Sequence, residues 1–286
     1  MNISNKWQDY ECLATGNGQK LERWNNIILN RPDPQIIWKK STNPIWNTWD
    51  GFYHRSSLGG GSWEFRKQLP EYWTVNYRDL TFKVSPTNFK HTGIFPEQAT
   101  NWDYIHEKIT NSSNKEIRIL NLFAYTGCAT MAASRAGASE VVHVDSSKGM
   151  IDWAKENMQL SHLENNKIRF IQEDCLKFLD REARRGRTYH GIIMDPPSYG
   201  RGPNKEVWRF EDNISELLDK VKKIIDPNFD FILISSYTTG LSPTSLKNIL
   251  SLTFPNMTIV TGEIGLPVTE NNLSLPCGIY GKITKN

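Results

Sequence analysis

Strand-like and helix-like segments alternate along the chain from about residue 95, and this alternation constrains the fold more than any other feature. Strand patterns are predicted at 117–124, 140–145, 168–174, 189–197 and 229–237, with helical segments between them. Because parallel strands need a crossover connection, this order predicts an α/β fold with helices on both faces of a mostly parallel sheet. Two closing strands, near 257–265 and 277–285, have only a polar loop between them. We expect them to complete a seven-stranded sheet as an antiparallel pair at its edge.

The first 85 residues have a different composition, because they hold seven of the ten tryptophans among proline and glycine breakers. Segments 73–77 and 80–84 alternate apolar and polar residues around a turn at Arg78-Asp79, which predicts a hairpin. We therefore expect a small antiparallel β-rich domain over residues 1–88 and a larger domain over 89–286. The tryptophans are expected to form the core of the small domain. The alternative is that they stack on nucleic-acid bases.

Composition excludes several classes of protein. With 38% hydrophobic and 11% aromatic residues among 286, the chain can bury a core and is not expected to be disordered. Residues 1–16 contain no apolar run, and no stretch approaches the roughly 20 apolar residues that span a bilayer. The four cysteines are scattered without metal-ligand spacing, so we expect a cytoplasmic protein with reduced thiols and no metal site. A net charge of +3 permits a polyanionic partner without requiring one.

The ends of the first three predicted strands favour a nucleoside ligand, because open parallel sheets bind ligands at the carboxyl ends of their strands. The first strand runs into a turn with one glycine, Gly127, so the glycine-rich diphosphate fingerprint is absent. Asp145 ends the second strand and could accept from both ribose hydroxyls, or could instead cap a helix before Ser146. Asp174 ends the third and could accept from an adenine amine, with a cap again the alternative. Together they predict adenosine without a diphosphate.

The fourth predicted strand ends in the segment DPPSYG, residues 195–200, the most specific signal in the chain. Prolines hold the backbone extended and cannot donate hydrogen bonds, so carbonyls such as that of Pro196 are fixed acceptors. Asp195 adds a carboxylate, and the Tyr199 ring could stack on a planar base. These groups suit an acceptor that carries an amine on an aromatic ring. The alternative is a loop terminator followed by a helix cap.

Two groups of basic residues flank this strand. The first suits the carboxyl terminus of a helix, and the alternative to RNA binding is that it is only a solvated helix end. The second follows DPPSYG and is interleaved with aromatic residues, a pattern that suits single-stranded RNA. We therefore assign Tyr199, Arg201, Trp208 and Arg209 to substrate binding. The first group comprises Arg181, Arg184, Arg185 and Arg187, and the second comprises Arg201, Lys205 and Arg209 with Trp208 and Phe210.

The segments NLFAYTG, HVD, QED and DPPSYG, spaced in this way on successive strands, resemble motifs of class I S-adenosylmethionine-dependent methyltransferases. The chain is most similar to the branch of large-subunit ribosomal RNA cytosine-5 methyltransferases, which carries a segment like FKHTGIFPEQATNW, here at 89–102. The segment LERWNNIILNRPDPQIIW also resembles the amino-terminal unit of a bacterial subgroup that lacks the RNA-binding PUA domain.

This resemblance implies a Rossmann-like domain, S-adenosylmethionine as cofactor and ribosomal RNA as partner. It places Asp145, with the neighbouring Ser146, at the ribose, Asp174 at the adenine, and Asp195 with Pro196 facing the transferring methyl group. The methionine end of the cofactor would be held by Phe95, Gln98, Phe123, Ala124, Tyr125, Thr126 and Gly127. The predicted catalytic residues are Asp195, Pro196 and Tyr199.

The chain departs from the cytosine-5 pattern in one respect. Members of that branch carry a cysteine after the fifth strand, where this sequence has Ser235-Ser236-Tyr237. Ring-carbon methylation needs a thiolate to add to the pyrimidine, and a serine hydroxyl without a base cannot replace it. Cys128 and Cys175 lie near the strand ends but are expected to be buried packing residues. A base nitrogen is therefore the expected acceptor, and a small molecule or a protein is the alternative substrate.

Overall fold

The structure, a computed structural model, describes residues 1–56, 60–88, 90–201 and 207–286. The chain forms two compact units, the first comprising Met1–Thr100 and Ile264–Cys277, the second Asn101–Glu263 and Gly278–Asn286. The predicted boundary after residue 88 stays a prediction. Phe89 and Lys205, which belong to predicted motifs, lie outside the described residues.

The first unit is rich in β-structure, as predicted. Strands β2 to β6 form one sheet in chain order, and β7 and β8 form the predicted hairpin. The expectation of a wholly antiparallel sheet was wrong at one pair, because β4 and β5 run parallel. Their long connection, 33–50, gives the chain room to return to the same end of the sheet. The strands are β1 (Asn2–Ile3), β2 (Tyr10–Gly16), β3 (Gln19–Trp24), β4 (Ile27–Pro32), β5 (Gly51–Arg55), β6 (Gly61–Phe65), β7 (Trp73–Tyr77) and β8 (Leu80–Val84).

Tryptophans of the first unit contribute to its core. Trp24 is fully buried, and Trp46 and Trp49 pack with Leu13 and Leu21 in one apolar cluster. Rings in these positions cannot stack on an external base, so the packing interpretation holds for these three tryptophans.

The second unit contains the predicted alternation of strands and helices. The helix expected to open at Phe95 instead begins at Ala99, after a short 3-10 turn at Pro96–Gln98. The described elements are α1 (Ala99–Thr110), β9 (Arg118–Leu122), α2 (Cys128–Arg135), β10 (Glu140–Asp145), α3 (Lys148–Leu160), β11 (Ile168–Gln172), α4 (Cys175–Arg184), β12 (Gly191–Met194), β13 (Tyr199–Arg201), β14 (Val207–Arg209), α5 (Phe210–Lys222), β15 (Phe231–Ser236), α6 (Pro243–Thr253), β16 (Thr258–Pro267) and β17 (Ser274–Thr284).

The predicted sheet is present but has eight strands instead of seven, in the order β1-β16-β17-β15-β12-β9-β10-β11. The added strand, β1, pairs in parallel with β16 and forms the edge that was predicted for the closing pair. β9 pairs in parallel with both β10 and β12, and β12 pairs in parallel with β15. The closing strands are neighbours as expected, and β17 runs antiparallel to β15. From β9 the chain moves outward through β10 and β11 and then returns to β12 on the other side. This reversal makes the carboxyl ends of β9 and β12 the topological switch point, where such sheets bind ligands.

Alternating side chains of the central strands cover the two faces of the sheet. On one face, Leu120 and Val142 pack in a buried cluster with Phe178 of α4, Leu217 of α5 and Leu250 of α6. The other face of β9 and β10 meets α2 through polar side chains, described below. No helix within the described residues is long and apolar enough to cross a membrane.

Candidate active site

The turn that follows β9 has an unusual backbone. Phe123, Tyr125 and Gly127 have φ values of 53°, 51° and 82°, in the left-handed region that favours glycine. For residues other than glycine, this conformation costs about 1–3 kcal/mol and persists only where the surroundings impose it. Here the Ala124 amide donates to the Val144 carbonyl at 3.1 Å, and the Gly127 amide donates to the Ala124 carbonyl at 3.0 Å. Such strain often accompanies a binding site.

Asp145 at the end of β10 holds this turn through its side chain. One carboxylate oxygen, Oδ2, accepts from the Tyr125 amide at 2.9 Å, and Oδ1 accepts from the Ser147 amide at 2.9 Å. Ser147 caps α3, so Asp145 links two loops at the strand ends. Burial raises the pKa of the Asp145 carboxyl, although its backbone donors act in the opposite direction.

Asp174 at the end of β11 is the N-cap of α4, with Oδ1 accepting from the Lys177 amide at 3.0 Å. The capping alternative is therefore realised at this position. The side chain is only half-buried, and its second oxygen can accept a further hydrogen bond.

A buried polar network, which the sequence did not predict, lies on the α2 face of the sheet. Asn157 of α3 is fully buried and donates to the Thr126 carbonyl at 2.9 Å. Asn121 donates to the Thr130 hydroxyl at 2.9 Å, and that hydroxyl lies 2.9 Å from Nδ1 of His143. Burial lowers the pKa of His143 to about 3, so the imidazole is neutral at physiological pH. The sequence did contain one signal for this network. Asn157 continues the series of buried positions formed by Ile151 and Ala154 on α3, where an apolar residue would be expected.

The loop after β12 begins beside the turn after β9. The Asp195 side chain is half-buried, Pro196 is buried, and the Ser198 hydroxyl accepts from the Thr238 hydroxyl at 3.0 Å. Thr238 in turn contacts the Ser236 hydroxyl at 3.2 Å. The loop is thus joined to the chain just beyond β15.

Two short strands that the sequence did not predict follow this loop. Residues 199–201 and 207–209 pair antiparallel as a two-stranded ribbon, β13 and β14, with Tyr199 opposite Arg209 and Arg201 opposite Val207. These four side chains share one exposed face, and the guanidinium of Arg201 donates to the Tyr199 hydroxyl at 2.9 Å. Trp208, also predicted to bind substrate, lies on the other face and is half-buried.

Arg181, Arg185 and Arg187 of the first basic group make ion pairs near α4. Arg181 lies 2.6 Å from Glu173, and Arg187 contacts both Glu140 and Glu182, whose side chains are buried. These contacts support the interpretation of this group as a helix end.

Phe95 and Gln98 belong to the first unit, where the Gln98 amide donates to the Phe95 carbonyl at 3.0 Å. Their predicted contact with the methionine end of a cofactor stays a prediction.

The cysteines of this chain are unsuited to nucleophilic attack. Cys128 and Cys175 are buried, and burial raises the pKa of Cys128 to about 12 and that of Cys175 well above its usual range. Ser235 and Ser236, at the position of the cytosine-5 family's cysteine, are also buried. Among the described residues, no group of three metal-ligating side chains lies close enough to hold an ion.

A family model and a solved structure that match this chain are both described as S-adenosylmethionine-dependent methyltransferases. The family model described as S-adenosylmethionine-dependent methyltransferase matches residues 38–231. The crystal structure of the SAM-dependent methyltransferase from Agrobacterium tumefaciens is 32% identical, with a TM-score of 0.94, and the match covers 100% of this chain and 93% of that one.

Curated relatives are longer proteins. Ribosomal RNA large subunit methyltransferase K/L from Pseudoalteromonas translucida is 35% identical over 148 residues, which are 51% of this chain and 20% of that protein. The protein of the same name from Colwellia psychrerythraea is 27% identical over 208 residues, or 73% of this chain and 26% of its own length. The matched regions thus span only a fifth to a quarter of these two relatives.

Proposed function

We propose that this chain, which belongs to the S-adenosylmethionine-dependent methyltransferases, transfers the methyl group to a base nitrogen of ribosomal RNA. The observation that carries the proposal is the exposed face of the β13–β14 ribbon. Two arginines and a tyrosine lie there, directly after the loop that holds Asp195. Arginine and aromatic side chains together bind single-stranded RNA by charge neutralisation and base stacking. The names of the curated relatives support the same substrate.

The residues at the switch point fit the adenosine part of the cofactor. We assign Asp145, with Ser146 beside it, to the ribose hydroxyls and the free acceptor capacity of Asp174 to the adenine amine. The strained turn of Phe123, Ala124, Tyr125, Thr126 and Gly127 would hold the methionine end, together with Phe95 and Gln98. When bound, S-adenosylmethionine supplies an electrophilic methyl group on a sulfonium, and the chain's own residues bind and orient both reactants.

Asp195 and the Pro196 carbonyl are assigned to the acceptor nitrogen. Both are acceptors of hydrogen bonds, so they can orient an amine in line with the methyl group and stabilise the positive charge that develops on it. A nitrogen with a lone pair needs no covalent activation. The burial of Cys128, Cys175 and Ser236 supports this chemistry over ring-carbon methylation.

The branch of the methyltransferase family to which this chain belongs is also a proposal. We infer that the chain derives from the cytosine-5 branch without a PUA domain and lacks the thiol of that branch. Residues 1–88 would then be a small β domain and residues 89–286 the methyltransferase domain. The motif resemblance at 89–102 and in the amino-terminal segment supports this division.

The experiment that tests the substrate uses tritiated S-adenosylmethionine with ribosomal RNA, total protein and a small-metabolite extract in parallel. We expect label in ribosomal RNA with the wild-type chain and background label with the Asp195→Ala variant. Label in protein or in small metabolites instead would identify the alternative substrate class and refute the RNA proposal.

A further inference from the structure

The two faces of the β13–β14 ribbon differ in what they contact. Because side chains alternate along a strand, Gly200 and Trp208 lie opposite each other on the face away from Tyr199, Arg201 and Arg209. A Cβ atom on Gly200 would lie 3.5 Å from the Pro197 ring, so this face packs closely on the loop after β12.

Trp208 contacts both loops of the switch point. Its indole Nε1 donates to the Pro197 carbonyl at 2.6 Å. Its ring lies 5.0 Å from the ring of Phe123, at an interplanar angle of 53°. Phe123 is the first residue of the strained turn after β9. One side chain therefore joins the loop assigned to the acceptor with the turn assigned to the cofactor.

Other described hydrogen bonds hold the loop after β12 on either side of its two prolines. Pro196 and Pro197 have no amide hydrogen, so the loop must be held through its carbonyls and side chains. The Phe210 amide donates to the Ser198 carbonyl at 3.0 Å, and the Thr238 hydroxyl donates to the Ser198 hydroxyl at 3.0 Å. The Asp195 amide donates to the Leu122 carbonyl of β9 at 3.4 Å, and the indole of Trp208 holds the next part of the loop at Pro197.

We propose that Trp208 is a positioning residue, which sets the loop of Asp195 and Pro196 against the cofactor turn, and not a contact for RNA. This inference rests on the proposed roles of those two loops. A positioning residue acts on the rate of the chemical step, because small displacements of reacting groups lower the rate strongly. A residue that binds RNA acts on KM.

The test compares Trp208→Phe with Arg209→Gln, a matched control on the exposed face of the same ribbon. Trp208→Phe keeps an aromatic ring and removes the indole N–H, so kcat should fall about three- to tenfold with KM for RNA within about twofold. Arg209→Gln should raise KM for RNA with kcat nearly unchanged. A raised KM with unchanged kcat in Trp208→Phe would show direct RNA contact and overturn the inference.

Hydrogen exchange gives a second readout that does not depend on RNA. In Trp208→Leu, the Phe210 amide should exchange faster than in the wild type, while amides of β9 and β10 keep their protection and show that the chain is folded. Unchanged protection of Phe210 would overturn the inference. Failure of wild-type RNA methylation would refute the proposed function separately, since the loop measurement needs no acceptor.

Discussion

The two sides of the switch point are built differently, although both flank the same central strand. On the side assigned to the cofactor, the Asp145 carboxylate and the buried Asn157 amide hold the turn through hydrogen bonds to its backbone. On the side assigned to the acceptor, a loop with two prolines is held by side-chain bonds from Trp208 and Thr238 as well as by backbone bonds, and the adjoining ribbon exposes its charged face. The first arrangement suits a cofactor of fixed shape. The second suits a large polymer that must reach the site from solvent.

The largest effect is expected for Asp195→Ala, which should distinguish the side assigned to the acceptor from the side assigned to the cofactor. Asp195→Ala should lower kcat on the order of 10²–10³-fold, because it removes an acceptor that matters most in the transition state. Affinity for S-adenosylmethionine should remain nearly intact. Single-turnover kinetics and calorimetry check the two quantities, and an equal loss of cofactor affinity would place Asp195 on the cofactor side instead.

Asp145→Ala should act instead on the affinity for S-adenosylmethionine. Loss of charge-assisted hydrogen bonds should weaken cofactor binding by about 1.5–3 kcal/mol, measured by calorimetry with S-adenosylmethionine and its demethylated product. Asp152→Ala is the matched control, since Asp152 is an exposed carboxylate on α3 that pairs with Lys148. If both variants bound the cofactor like the wild type, the ribose assignment would be wrong.

Substitutions on the exposed face of the β13–β14 ribbon should change RNA binding alone. Tyr199→Ala should weaken RNA binding by about 1–3 kcal/mol through lost base stacking, because half of the Tyr199 side chain is exposed. Arg201→Gln and Arg209→Gln should reduce the salt dependence of binding, while Arg185→Gln, from the ion-paired group on α4, should not. Titrations at several salt concentrations check both statements. An equal change in Arg185→Gln would show that the two basic groups act alike.

The smallest effect is expected at the thiols and at the serine in place of the family's cysteine. Cys128→Ala, Cys175→Ala and Ser236→Ala should each leave kcat within about threefold of the wild type, since no covalent adduct is proposed. With a pKa of about 12, Cys128 is protonated at neutral pH, so iodoacetamide should not inactivate the folded enzyme. Loss of methyl transfer in one of these variants, with folding retained, would restore the covalent mechanism.

The parts predicted from sequence are those that depend on local pattern. The strand 140–145 was predicted with its observed bounds, because its alternation of apolar residues is a local pattern. The strand predicted at 189–197 is shorter, Gly191–Met194, because Pro196 and Pro197 cannot donate ladder bonds.

The parts that were not predicted depend on tertiary contacts. The ribbon was missed because its strands are only three residues long, lie among glycine and proline residues, and are fixed by packing of Trp208. For the same reason Trp208 could be assigned only by its neighbours in sequence, which include Arg209. The network of Asn121, Thr130 and His143 joins three elements, so no local pattern predicts it.

Identification of the methylated nucleoside is the most direct test of methyl transfer to a base nitrogen. Ribosomal RNA labelled by the wild-type chain would be digested to nucleosides and separated by liquid chromatography with mass spectrometry, with the Asp195→Ala reaction as control. We expect one base methylated on nitrogen in the wild-type reaction and no such nucleoside in the control. Recovery of 5-methylcytosine as the product would contradict the nitrogen-acceptor mechanism.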